Sequence, residues 1–427
     1  MKRLCGEVKP PPKLEGVEYS VTLRRERIMR ISKERVEREE FAYEDGVDVV
    51  ILEEGVKSVG YGAFHGMPRL REIFAENAKS VKFEQHCFSQ LPQLEMVKIA
   101  MVSVPPKCFF QCPRLKTLTF EGSHKNKADL TMGEYALAYC SVLQSISNMP
   151  EGMVCEKYAF QDCTAMEGTF KVGGFQQENV PTGIFYGCEN ITKLEVREGT
   201  LELGKDVCNG CMELKEAVMP RSLMVINDGA FRLCRSLKAL CLGENLRIVG
   251  SDAFRECSGL ETVESRATER VDFFRMAFGY CTALVKFTVP EETTKLACGM
   301  FYGCSELQEV TMNKALEDIG KECFSGTVLR EVELSETKVV NIGDGAFSGA
   351  KTLMTLVLPE TLEKIGESMC EGCMSLNGVC VPSKVKEIPA KCFSQCAKLE
   401  SVTIKGQKVD IAPGAFSGCT QIQELLA

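Results

Sequence analysis

One residue slot recurs along almost the whole chain. Positions 64, 88, 109, 137, 160, 185, 208, 231, 254, 278, 301, 324, 347, 370, 393 and 416 hold Phe thirteen times, with Leu137, Cys208 and Cys370 in the other three. The spacing varies early and is a constant 23 residues from Phe278 onward. Three positions after this slot comes Cys in twelve of the sixteen units, from Cys112 to Cys419. Aliphatic residues follow at plus six and plus nine, and often at plus eleven. A Pro at plus twelve (Pro220, Pro290, Pro359, Pro382) and an Ile-Gly pair (Gly320, Gly343, Gly366) mark the rest of the unit. A unit this short cannot bury its own apolar face, so the units must stack and share one continuous core.

Each part of the unit has a local reading. Leu353, Leu356 and Leu358 end in a period-2 alternation, which predicts a short strand with one buried face. Pro at plus twelve stops that ladder, because it has no N–H to donate. The Gly of Ile-Gly is read as a second turn with positive φ. The Ala-Phe-x-x-Cys segment is read as the opposite wall, a short helical or 3₁₀ turn or an extended stretch. Parallel strands of successive units then lie about 4.8 Å apart. The expected fold class is a solenoid of about 16 units of about 23 residues, with a parallel β-sheet on one face.

The pattern AFxxCxxLxxVxLPxxLxxIG resembles the BspA-type (Treponema-type) leucine-rich repeat, and the likeness runs from Val49 to Leu426. The resemblance implies a curved right-handed solenoid and a role in protein binding, many members of the family being surface adhesins or interaction proteins. The units at 137 and 160 depart from the pattern, and GSHKNKADL is inserted between 109 and 137. Thr327 replaces the usual Cys and Leu329 arrives one residue early, which predicts a local bulge or shortened loop.

Residues 1–45 read as a charged N-terminal segment and cap, and residues 46–427 as the solenoid, irregular over 109–185 and regular over 185–427. Pro10, Pro11 and Pro12 make the start extended. Tyr19, Val21 and Leu23 alternate like a strand. Residues 24–40 carry 12 charges in 17 positions. They read as a solvated cap helix, with a strand hairpin or a basic partner-binding arm as alternatives. Phe41, 23 residues before Phe64, opens a degenerate first unit. At the other end, Ile422, Leu425 and Leu426 have no polar capping unit after them. One reading of that end is association end to end with a second copy or cover by another subunit; the other is a final coil that frays or a chain that has been truncated.

Composition limits the chemistry. The chain has 427 residues and a net charge of -8, with no basic excess to hold nucleic acid. No apolar run is long enough to insert in a membrane, and no secretory signal is legible. Only His65, His86 and His124 are present. HExxH, GxSxG and GxxxxGK[ST] do not occur, and GDGAFSG at 343–349 is the repeat turn. The chain is therefore read as non-enzymatic, with no cofactor and no metal.

The 23 cysteines are an odd number, and most share one slot. A column of one residue type is a packing signature, so they are expected to be reduced and buried. The pairs Cys208–Cys211 and Cys370–Cys373 have zinc-like spacing, but each falls into two repeat slots far from the other pair. Asn190-Ile191-Thr192 matches a glycosylation sequon with its middle residue in a core slot.

The sheet face should expose plus eight and plus ten. There, Glu309, Glu331 and Glu333 form an acidic strip that could hold a basic partner. The expected function is protein-protein interaction, as an intracellular scaffold or assembly subunit in a reducing, cytoplasmic compartment. A cell-surface adhesin of the BspA type is the alternative.

Overall fold

The computed structural model describes residues 15–22, 26–77, 81–100, 103–121, 131–148, 153–422 and 424–426. The inserted GSHKNKADL segment, most of the Pro-rich start and His124 lie outside them. The chain forms two compact units, Met1–Glu167 and Gly168–Ala427. Both are β-solenoids, and no helix occurs among the described residues.

The first unit has one seven-stranded sheet, running Val17–Val21, Arg27–Ile31, Val49–Leu52, Glu72–Ala75, Met96–Ile99, Thr117–Phe120 and Ser145–Ser147. The first pair is antiparallel and every later pair is parallel. Val17–Val21 and Arg27–Ile31 are thus paired as the two arms of a hairpin, and among the described residues the cap helix expected over 24–40 is not formed. Met29 and Ile31 alternate into the core, fully buried, and Arg27–Ile31 pairs in register with Val49–Leu52. Joining an existing sheet satisfies the backbone of one edge, which a charge-dense helix on the surface would not do.

The second unit repeats the same coil. Its main strands fall into three sheets, the last two running from Ala239–Leu242 to Glu309–Thr311 and from Glu331–Glu333 to Glu424–Leu426. The break between these two falls at the coil that departs from the repeat. There Thr327 turns its hydroxyl onto the Phe324 carbonyl (2.8 Å), and the ladder between Glu309–Thr311 and Glu331–Glu333 is lost. A second column of two-residue strands, such as Asp318–Ile319, Asn341–Ile342 and Lys364–Ile365, follows the turn at plus twelve, which holds Asn313, Glu336 and Pro359 in these coils.

The Phe slot builds the core. Phe301 stacks on Phe324 with centroids 5.5 Å apart and planes 9° from parallel, and Phe324 on Phe347 at 5.4 Å. In the first unit Phe41, Phe64, Phe88 and Phe109 stack at 5.2 to 5.6 Å. Such offset stacks fit the coil spacing and add to the apolar burial.

The wall carrying this slot is neither helical nor extended. In every coil from Phe41 to Phe416 the residues two before and two after the slot have positive φ, as at Gly345 (59°) and Gly349 (72°) around Phe347. A left-handed residue on each flank ends any helical run within three residues. The freed backbone groups pair between coils instead. The N–H groups of Gly345, Phe347 and Gly349 donate to the carbonyls of Glu367, Met369 and Glu371 in the next coil. Gly299, Phe301 and Gly303 do the same to Lys321, Cys323 and Ser325. Three bonds per coil, all pointing the same way, make this wall a second ladder.

The Ile-Gly glycines act differently from expectation. Gly320, Gly343 and Gly366 are not left-handed. A Cβ on Gly343 would stand 2.5 Å from the Lys321 nitrogen, and one on Gly366 2.2 Å from that of Asp344. Glycine is required there by the close approach of the preceding coil's backbone.

Candidate functional site

Three parts of the coil bear on function: the sheet face, the cysteine column and the turn wall. On the sheet face the plus-eight and plus-ten residues do point outward. Glu309, Glu331 and Glu333 are exposed around the buried Val310 and Val332. Glu331 and Glu333 share one strand. Glu309 stands across from Lys286 on the strand before, and no ladder links it to Glu331. None of the three is in an ion pair among the described residues, and Glu333 accepts the N–H of Ser335 (2.8 Å). Elsewhere this face is paired: Lys193 lies 3.2 Å from Glu195 and 3.1 Å from Glu216, and Lys171 lies 3.4 Å from Glu195. The hydrogen bond from Lys193 holds the Glu195 carboxyl below the usual range. At the far coil, Ile422 is half-buried, and Leu425 and Leu426 lie in the strand Glu424–Leu426, which pairs in parallel with Ser401–Ile404.

The cysteine column is interior. Eighteen of the 22 described cysteines are buried; Cys298 and Cys380 are exposed, and Cys241 and Cys419 are half-buried. The sequence missed why the slot is Cys. Its thiol donates to the carbonyl of the Phe slot one coil back: Cys257 to Phe231 (3.1 Å), Cys304 to Phe278 (3.2 Å) and Cys373 to Phe347 (3.2 Å). Each of these carbonyls already accepts the N–H three residues on in its own coil, as Phe278 does from Cys281 (3.2 Å), so the thiol fills the space and occupies the second lone pair, which a small apolar residue would leave unused. Burial pushes these thiols up, Cys163, Cys257 and Cys304 to about 12. Cys208 and Cys211 take separate columns, Cys211 bonding the Phe185 carbonyl. No group of three or more His, Cys, Asp or Glu residues is placed to hold a metal among the described residues. Ile191 of the sequon is fully buried. Thiol titration of native protein should therefore show fast reaction at Cys298 and Cys380, apart from Cys5 outside the described residues. The remainder should appear on denaturation. Fast reaction of most of the column would contradict this arrangement.

The third surface was not read from the sequence at all. On the turn wall of the first unit, slots at minus three, minus two, plus one and plus two hold aromatic side chains. Phe110 meets Tyr139 edge-on at 5.5 Å, and Tyr135 stacks on Tyr158 at 5.1 Å. Lys107 lies over both Phe110 and Tyr135. Farther along the wall, Tyr43 meets His65 edge-on at 5.3 Å, and Tyr61 lies 5.3 Å from His86. With Glu39 and Gln90 these four line a cavity of about 250 Å³. His65 Nδ1 is 2.7 Å from the hydroxyl of the fully buried Ser89, which donates to the His86 carbonyl. Burial keeps both imidazoles below their ordinary range, which favours their neutral form. Tyr43 is 67% and Tyr139 39% exposed, large values for aromatic residues with no folding task. Sorting aromatic residues by repeat slot would have exposed this strip, since the core needs only the central Phe.

Among the described residues no helix is long and apolar enough to cross a membrane. A family model for the BspA type leucine-rich repeat region matches in six copies, over residues 34–168, 174–272, 272–400 and 340–426. No curated protein matches the sequence significantly. Among solved structures, a leucine-rich repeat protein from Bacteroides ovatus is similar, with 21% identity and a TM-score of 0.60 over 88% of this chain and 95% of its own. A leucine-rich cell surface protein from Faecalibacterium prausnitzii matches at 14% identity and a TM-score of 0.39, covering 93% of this chain and 95% of its own. The first shares the fold; the second superposes too loosely to add to that.

Proposed function

The chain belongs to the BspA-type leucine-rich repeat family, whose members are in general protein-interaction modules, and from this premise we propose that it is a non-enzymatic binding subunit acting as an intracellular scaffold. The observation that carries the reading is the aromatic strip of the first unit's turn wall. Tyrosine with a neighbouring cation is the composition of protein-binding hot spots, and here it is spent on no core contact. The column of buried thiols supports a reducing compartment, where such a column is in no danger of oxidation. Crosslinking and affinity capture from fractionated source cells test both parts. Capture should fall at least tenfold in Tyr43→Ala/Tyr139→Ala protein, whose fold is checked by circular dichroism. Recovery in the surface fraction would favour the adhesin reading, and unchanged capture would remove the aromatic strip.

The acidic strip is proposed as a second contact, for a basic segment. Reversal of Glu309, Glu331 and Glu333 to Lys should weaken that binding about tenfold, with a smaller salt dependence left behind. Equal affinity in the reversed protein removes the strip from the interface.

A further inference from the structure

On the turn wall of the second unit the basic residues gather differently from elsewhere. Seven of the chain's 20 arginines fall between Arg232 and Arg275, and only Arg330 follows. The plus-one slot is Arg in just two coils, at Arg232 and Arg255, and Arg235 takes the plus-four slot between them. Together with Glu256, Ser258, Tyr280 and Thr282, Arg235 and Arg255 line a cleft of about 520 Å³.

The guanidinium groups in and beside this cleft are poorly satisfied. The Nε of Arg232 and the Nε of Arg255 are both buried without a hydrogen-bond partner. Buried polar atoms left this way are exceptional and call for an acceptor. The carboxylates within reach do not supply one. Glu256 Oε1 lies 3.7 Å from Arg232 and 3.4 Å from the Arg255 Nε, close enough for attraction and not aligned for a bond. The other arm of Arg255 is engaged, Nη1 donating to Asp252 Oδ1 (3.4 Å). Arg235 is exposed and makes no ion pair or side-chain hydrogen bond among the described residues. Arg255 lies over the Tyr280 ring, 5.5 Å from its centroid, and Tyr302 meets that ring edge-on at 5.3 Å. The aromatic pair therefore fixes the direction of the Arg255 fork.

We infer that this cleft binds the side-chain carboxylates of an acidic segment in a partner protein, Arg235 offering its free fork, Arg255 its remaining terminal nitrogen and Tyr280 the floor. Arginine in place of lysine, planar support and unused donors are what bidentate carboxylate recognition requires. The inference rests on the interaction-module reading and names the chemistry of one partner.

The test uses the full chain and a fluorescein-labelled octaglutamate peptide, followed by anisotropy at low and physiological salt. Wild-type protein should bind it, and an octalysine peptide should not bind. Arg235→Glu should weaken binding at least tenfold. Arg235→Lys should lose part of the affinity, since charge remains and the fork is gone. Lys351→Glu, the same change of charge in the same slot of a distant coil, should have no effect. Inorganic phosphate at millimolar concentration should compete only weakly; full displacement would mean a site for free phosphate and overturn the peptide assignment. No binding by wild type, or equal weakening by Lys351→Glu, also overturns it. A natural partner captured equally by wild type and Arg235→Glu would reject the cleft and leave the module reading intact. Octaglutamate binding through Arg235, with no protein partner recovered by crosslinking, would sustain the anion site and reject the module reading.

Discussion

Phe301→Ala should destabilise the second unit by roughly 3–5 kcal/mol, the usual cost of emptying a Phe site in a close-packed core. The ring is fully buried, stacked between Phe278 at 5.9 Å and Phe324 at 5.5 Å, and met edge-on by Phe287 at 4.9 Å. Contacts in a repeat array are made with neighbouring coils, so the loss should be local. Hydrogen exchange should show the Cys298–Gly303 and Cys323–Gly326 wall bonds opening faster, with little change around Phe393. Equal loosening at both places, or a denaturation shift of less than about 1 kcal/mol, would contradict the stacked core.

Gly366→Ala should cost about 1–3 kcal/mol by overpacking, although it adds only a methyl group. The new Cβ would meet the Asp344 nitrogen at 2.2 Å and the Gly343 carbon at 2.3 Å, both backbone atoms that no rotamer change can move aside. Relief requires the coils to part, which stretches the bond from the Gly366 N–H to the Ile342 carbonyl, now 2.8 Å. Thermal denaturation of the variant against wild type measures the cost; an unchanged midpoint would show that the coils separate freely.

The two substitutions mark what could be read from the sequence. Period and slot were legible because burial is dictated by the repeat itself. Phe at zero, Cys at plus three and the alternation around Val310 and Val332 follow directly from what a stack must bury. The conformation of the wall was not, because apolar spacing does not report φ. Its clue was there in GDGAFSG, where Gly345 and Gly349 flank Phe347 symmetrically, yet Glu39, Tyr43 and Leu233 adopt the same left-handed state without being glycine. Gly343 and Gly366 misled in the opposite sense, as glycines kept for space and not for φ. The pairing of Val17–Val21 with Arg27–Ile31 was legible only as an alternative to a cap helix, since Ile28 and Ile31 imitate helical spacing while Met29 and Ile31 are the pair that enters the core. The acidic strip is legible because period-2 alternation puts Glu309, Glu331 and Glu333 on the open side of their strands. The aromatic and arginine clusters are not, because the left-handed turns that bring their slots side by side leave no mark in apolar spacing.

The one-way hydrogen bonding of that wall gives each unit a physical direction. Coil after coil, as at Gly299, Phe301 and Gly303 or Gly345, Phe347 and Gly349, places three peptide groups with their N–H toward the following coil and their C=O toward the preceding one. Each such group carries about 3.5 D, and parallel groups joined head to tail add along the stack, as they do along a helix axis. The wall is in this sense polarised like a thick helix with its sign reversed relative to chain direction, partial positive charge growing toward later coils and partial negative charge toward earlier ones. A charged side chain thus has a different energy at equivalent slots of different coils, so that identical repeats in sequence are not identical in electrostatic potential.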